Sequence, residues 1–145
     1  GLPLIADADT GYGGVLNVRR TMQAYERAGV AGLHLEDQVF PKRCGHLAGK
    51  QLVPAAEMVA KIRAACDARS DADFLLIART DAIAVEGLEA ALERAEAYRD
   101  AGADMLFVEA PGAADLPKLA PRLQAKLLYN MATSGKTPFL GRDEI

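Results

Sequence analysis

Leu4-Ile5-Ala6-Asp7-Ala8-Asp9 and Gly32-Leu33-His34-Leu35-Glu36-Asp37 are short apolar runs, and each ends in two acids. The design recurs along the chain. Strands are expected at Leu4–Ala8, Gly32–Glu36, Phe74–Arg79, Met105–Glu109 and Lys126–Asn130, with Asp81 following the third. These runs are apolar on both faces, as parallel strands covered by helices are. Charged groups are costly to bury alone, yet here they recur at the same end of successive buried strands. In a (β/α) barrel those ends converge on one face, where the active site lies. Strand exits to solvent would explain any one of these polar residues, but not their recurrence at all five ends.

Working outward, helical patterns alternate with the strands, which argues for repeated βα units around a parallel sheet. Val18, Met22 and Tyr25 recur at helical spacing before Gly29. Pro54 opens a second helix, whose inner stripe reads Met58 or Val59, Ile62 and Cys66. Leu88, Leu92 and Ala95 share a face of a third helix that stops at Gly102. Residues 38–53 form the only long loop, directly after a strand end, where long loops tend to be functional. The expected fold is a (β/α)8 TIM-type barrel. Residues 1–145 would be the central part of its single catalytic domain, about five βα units, with the first strands and the last strand lying outside the chain. The opening inside an apolar strand and the ending at Asp143-Glu144-Ile145 both read as those of a fragment.

Of the 145 residues, 50% are hydrophobic and 26% charged, and the net charge of −3 comes from interspersed acids and bases. That balance points to neither nucleic acid nor an anionic membrane as partner. No apolar run reaches the roughly 18–20 residues that span a bilayer, and the first six residues lack the basic character of a signal peptide. Cys44 and Cys66 make neither a disulfide framework nor a zinc spacing. A reducing, cytoplasmic setting is expected.

Asp7 and Asp9 stand two apart, so on a strand both would point to one side. Facing Glu36 and Glu109, they would repel unless a cation lay between them, and all-oxygen ligation favours Mg²⁺, or Mn²⁺, over zinc. His34 reads as a packing histidine rather than a ligand. Gly11-Tyr12-Gly13-Gly14 matches neither dinucleotide nor P-loop spacing and reads as a tight turn. In Pro41-Lys42-Arg43-Cys44-Gly45-His46 a cysteine sits among basic groups that favour its thiolate. Such a thiol can give and recover a proton near neutral pH, and Gly45 and Gly49 would let the loop move as a lid.

Asp7-Ala8-Asp9-Thr10-Gly11-Tyr12-Gly13, His34-Leu35-Glu36-Asp37-Gln38 and Lys42-Arg43-Cys44-Gly45-His46 closely resemble the isocitrate lyase and phosphoenolpyruvate mutase superfamily. Ala78-Arg79-Thr80-Asp81 and Val108-Glu109-Ala110 continue the match in the same order, over essentially the whole chain. The short spacing between strands resembles the 2-methylisocitrate lyases most.

The resemblance implies a Mg²⁺-dependent carbon–carbon lyase that cleaves a methylisocitrate-like 2-hydroxy di- or tricarboxylate to an α-keto acid and a diacid. It implies Asp7, Asp9 and, through water, Glu36 as metal ligands, and Cys44 as general acid. Arg79 would bind a substrate carboxylate, and Lys42, His46 and Glu109 complete the implied catalytic set. Arg43, Gly45 and Asn130 would contact the small carboxylate substrate. A homotetramer is implied as well. One departure is plain: Met131-Ala132-Thr133-Ser134-Gly135 stands where methylisocitrate lyases usually carry Ile-Thr-Glu-Phe-Gly.

Three other readings compete. A dimethylmalate-type lyase fits Asn130-Met131 equally well. A phosphonopyruvate- or carboxyphosphonoenolpyruvate-processing mutase of the same superfamily fits the metal site but less well the Cys44 loop. A non-catalytic truncated fragment is the reading outside enzymes. A Schiff-base aldolase is disfavoured, because Lys126 begins its strand at the wrong end.

Overall fold

A computed structural model describes residues 1–45, 47–131 and 137–141. Five parallel strands run in chain order: β1 (Ile5–Asp7), β2 (Gly32–Glu36), β3 (Leu75–Thr80), β4 (Met105–Val108) and β5 (Lys126–Leu128). Between them lie α1 (Val15–Arg27), α2 (Ala55–Ala68), α3 (Ile83–Glu86), α4 (Leu88–Asp100) and α5 (Leu116–Leu123). The register pairs Asp7 with His34, Glu36 with Arg79, and Arg79 with Phe107, so the chemistry-bearing positions lie side by side.

Alternation along the strands divides the sheet into two faces. Leu33, Leu35, Leu76, Ala78, Leu106 and Val108 join one apolar core with Met22, Met58, Ile62, Leu92, Tyr98 and Leu123 of the helices. Burying a large apolar side chain contributes about 1.5–3 kcal/mol, so this layer holds the helices on the sheet. Glu36, Ile77, Arg79 and Phe107 are also buried, yet occupy the alternate positions facing away from the helices. Sequential strand order with the helices packed on one face is the wall of a (β/α) barrel, of which the described residues form four βα units and a fifth strand. A doubly wound sheet would reverse its strand order at a switch point, and none occurs among the described residues.

The helices follow the expected stripes with two adjustments. In α2 the buried line is Met58, Ile62 and Ala65, while Cys66 is only half-buried, with Sγ 3.4 Å from the Gly102 carbonyl. Helix α5 forms despite prolines at 117 and 121. β5 stops at Leu128, so Asn130 lies beyond the strand rather than on it. No helix among the described residues is long and apolar enough to cross a membrane.

Candidate active site

The acidic pair converges by a turn, not by strand alternation. β1 ends at Asp7, and Asp9 takes a left-handed backbone (φ 47°). The Asp9 amide donates to Asp7 Oδ1 at 2.8 Å, and the Asp9 carbonyl accepts from the Glu36 amide at 2.9 Å. A non-glycine residue held in that region is strained, a feature that gathers at functional sites. The next turn is as tight as its glycines suggest. Gly11 has φ 83° and donates to the Ala8 carbonyl, and a Cβ there would collide with Val18.

Both carboxylates meet the Lys42 ammonium, which lies 2.9 Å from Asp9 Oδ1, 3.3 Å from Asp7 Oδ2 and 3.7 Å from Glu36 Oε2. Burial alone would lower the Lys42 pKa, but the Asp9 hydrogen bond and the surrounding acids hold it above the ordinary lysine value. Burial likewise opposes ionisation of Asp7, yet the Asp9 amide, His34 and Lys42 leave it below the usual carboxylate range. Glu36 differs. It is fully buried, and desolvation outweighs Arg79 to push it up to about 7. Neither of its oxygens accepts a hydrogen bond among the described residues. His34 stacks edge-on to Phe107 with Nδ1 3.7 Å from Asp7, and burial lowers its pKa, as for a packing histidine.

Arg79 lies at the centre. Its Nε is 3.0 Å from Asp81 Oδ2 and 3.4 Å from Glu36, its Nη2 is 3.1 Å from Asp81 Oδ1 and 3.7 Å from Glu109, and its guanidinium sits 4.8 Å from the Phe107 ring centre. A guanidinium fixed by a two-pronged carboxylate pair is well oriented for a planar anion.

The long loop is folded over this centre. Gln38 closes it by exchanging 2.9 Å hydrogen bonds with the Arg43 backbone and bridging antiparallel to Leu52. Arg43 itself is bonded to the Ala48 carbonyl. Cys44 is exposed and, like Cys66, a free thiol. Gly45 rests so closely on the site that a Cβ there would meet Arg79 Nη2 and the Glu109 carboxylate. Asn130 is half-buried just beyond β5. His46 and the segment 132–136, which carries the departure from the lyase pattern, lie outside the described residues. The ammonium and guanidinium expected to flank the thiol are therefore directed elsewhere: Lys42 to the carboxylates, Arg43 to a loop carbonyl.

Three supporting roles are not apparent in the sequence, that of Asp37 among them although its place at a strand end is. Asp37, one step past Glu36, is fully buried and accepts from Thr80 Oγ1 (2.7 Å), Tyr98 OH (2.8 Å) and the Asp81 amide (3.0 Å). Tyr98 also receives a hydrogen bond from Arg94, which pairs with Glu86 and bonds the Val53 carbonyl. Lys50 is the third. Its signal, a lysine late in a polar loop, does not stand out.

The donor set suits Mg²⁺, which keeps several waters and takes one or two carboxylates. Asp7, Asp9 and Glu36 offer oxygens only, and their shared centre already holds a positive charge, the Lys42 ammonium. Among the described residues no three His, Cys, Asp or Glu side chains are grouped so as to hold a metal ion by themselves.

The phosphoenolpyruvate phosphomutase family matches residues 1–138. The chain is 49% identical over 146 residues to the 2,3-dimethylmalate lyase of Eubacterium barkeri, covering 100% of this chain and 50% of that protein. It is 53% identical over 146 residues to the 2-methylisocitrate lyase of Salmonella typhimurium, covering 99% and 50%. An oxaloacetate acetylhydrolase bound to the inhibitor 3,3-difluorooxalacetate superimposes with a TM-score of 0.94 at 45% identity, over 99% of this chain and 50% of that one. A phosphonopyruvate hydrolase complex with oxalate and Mg²⁺ does so with 0.73 at 37% identity, over 87% and 44%. The chain thus spans about half the length of the curated relatives it matches.

Proposed function

Because the chain belongs to the phosphoenolpyruvate phosphomutase family, we propose that it carries the metal and proton-transfer groups of a Mg²⁺-dependent carbon–carbon lyase acting on a methylisocitrate-like 2-hydroxy di- or tricarboxylate. The supporting observation is the seating of Gly45 against Arg79 and Glu109, with Lys42 of the same loop among Asp7, Asp9 and Glu36. This seating supports a reading in which the loop that carries Cys44 closes over an arginine that binds a substrate carboxylate.

Asp7 and Asp9 would hold Mg²⁺, with Glu36 reached through water, and the ion would supply a chelate for the oxygens of the α-keto acid product. Arg79 orients a substrate carboxylate, and Glu109, Gly45, Arg43 and Asn130 line its surroundings. Glu109, the carboxylate beside Arg79, would take the hydroxyl proton as the adjacent carbon–carbon bond cleaves, leaving an α-keto acid and an enolate-like diacid. The Cys44 S–H then breaks, its proton passing to the diacid carbon and leaving a thiolate. Lys42 and His46 organise the closed loop. In this reading residues 1–145 are the central part of a single barrel domain in a cytoplasmic homotetramer.

A dimethylmalate-type lyase is the second reading, favoured by 49% identity to the Eubacterium barkeri protein. Assaying the complete protein against methylisocitrate, isocitrate, dimethylmalate, oxaloacetate and phosphonopyruvate separates them. Cleavage of a hydroxy acid with strict Mg²⁺ dependence supports the proposal. Turnover of phosphonopyruvate alone overturns it.

A further inference from the structure

Lys50 lies five residues past Gly45, and its side chain is 2% exposed. A buried lysine is costly unless its charge is met. Here it is met on two sides: Nζ donates to the Gly45 carbonyl at 2.5 Å and to Asp81 Oδ1 at 2.9 Å. The same Asp81 carboxylate receives both prongs of Arg79, and its backbone amide is fixed by Asp37. One ammonium thus joins the loop that carries Cys44 to the carboxylate that aims Arg79. No other cation takes this position among the described residues, because Lys42 is turned to Asp9 and Arg43 to Ala48.

We propose that Lys50 is a positioning residue for the reaction: by tying the Gly45 carbonyl to Asp81, it sets the Cys44 loop in register with the Arg79 guanidinium. The inference deepens the lyase reading and rests on it for its kinetic half. Its structural half does not, since loop tethering can be followed without substrate. Removing the ammonium releases the Gly45 carbonyl and leaves Asp81 to Arg79 alone. Proton delivery then suffers more than carboxylate binding.

Lys50→Met and Lys50→Arg in the complete protein test this by hydrogen exchange and steady-state kinetics with Mg²⁺ present. In Lys50→Met the amides of residues 44–49 should exchange about tenfold faster, while those of β3 stay protected, because opening is local. At saturating substrate kcat should fall roughly 10- to 100-fold, since misplacement of about an ångström costs up to that much. KM should move less than kcat, and Lys50→Arg should recover most of both losses. If Lys50→Met does not fold, Lys50→Gln, which keeps a donor without the charge, is held to the same criteria. Unchanged exchange at 44–49, or exchange rising equally in β3, overturns the proposal. Faster exchange at 44–49 alone, in a protein that cleaves no hydroxy acid, keeps the tether and removes the lyase reading instead.

Discussion

The Lys42 ammonium lies 2.9 Å from Asp9 Oδ1 and 3.3 Å from Asp7 Oδ2, so a protein charge gathers the two carboxylates that a divalent ion would share. Asp9→Ala removes the nearer of them. In the complete protein this variant should lose Mg²⁺-dependent cleavage and bind Mg²⁺ much more weakly by calorimetry. A chelator should silence the wild type, and added Mg²⁺ should restore it. Activity persisting in metal-free buffer would count against the metal assignment.

Cys44 tests the acid. Cys44→Ser should leave Mg²⁺ and product binding near normal while turnover drops about 10²–10⁴-fold, the usual contribution of general acid–base catalysis. A thiol reagent should inactivate the wild type, with bound substrate slowing the reaction by closing the loop. Near-normal cleavage by the serine variant would move the assignment toward phosphonate chemistry.

Gly45→Ala is a test of space. Gly45 is not in the left-handed region, so alanine adds no backbone strain there. The new methyl would meet Arg79 and Glu109 and lift the loop from the site. A loss of about 10²-fold in kcat/KM is expected for a displacement of that kind, with thermal stability little changed. Wild-type kinetics would mean that the loop does not close against this pair.

Much of the fold is legible in the sequence. Parallel strands in chain order follow from apolar runs alternating with helical stripes, and the clustering of Glu36, Arg79 and Glu109 follows from their common place at strand ends. Alternation was the wrong reason for Asp7 and Asp9, because φ 47° at Asp9 is a tertiary decision enforced by hydrogen bonds to Asp7 and Glu36. Helix α5 went unread because Pro117 and Pro121 interrupt the pattern, although the first falls in the opening turn, where proline is tolerated. Lys50 and Tyr98 act through partners 31 and 61 residues away, a separation that no local spacing encodes.

Glu36 gives a pH dependence with a definite sign. Desolvation raises it from the ordinary 4.5 to about 7, so the folded chain holds this proton more tightly than the unfolded one. Its stabilising contribution is fully present below 4.5 and is lost as pH rises through about 7. In metal-free urea unfolding, the wild type should therefore lose stability relative to Glu36→Gln across that interval. A difference between the two that is flat with pH would show that Glu36 titrates normally.

Tyr98→Phe removes one of three hydrogen bonds to the buried Asp37 carboxylate. A bond to a charged group contributes about 1.5–3 kcal/mol, and a loss near that size should appear in the urea midpoint. A shift below about 0.5 kcal/mol, the scatter of ordinary surface substitutions, would mean that Thr80 and Arg94 compensate.

Glu36 and Asp37 are neighbours in sequence but not in office. Glu36 faces Lys42 and Arg79, while Asp37 braces Thr80, Tyr98 and the Asp81 amide. Because side chains alternate along a strand, deleting or inserting a single residue within β2 would exchange the two carboxylates. Glu36 would land among hydrogen-bond donors that lower its basicity, and Asp37 would face Arg79 and Lys42 in its place. Over evolutionary time, then, this strand should accept exchanges of residue far more readily than changes of length. New specificities would be expected to arise in the loops that follow the strands, where length is free to drift.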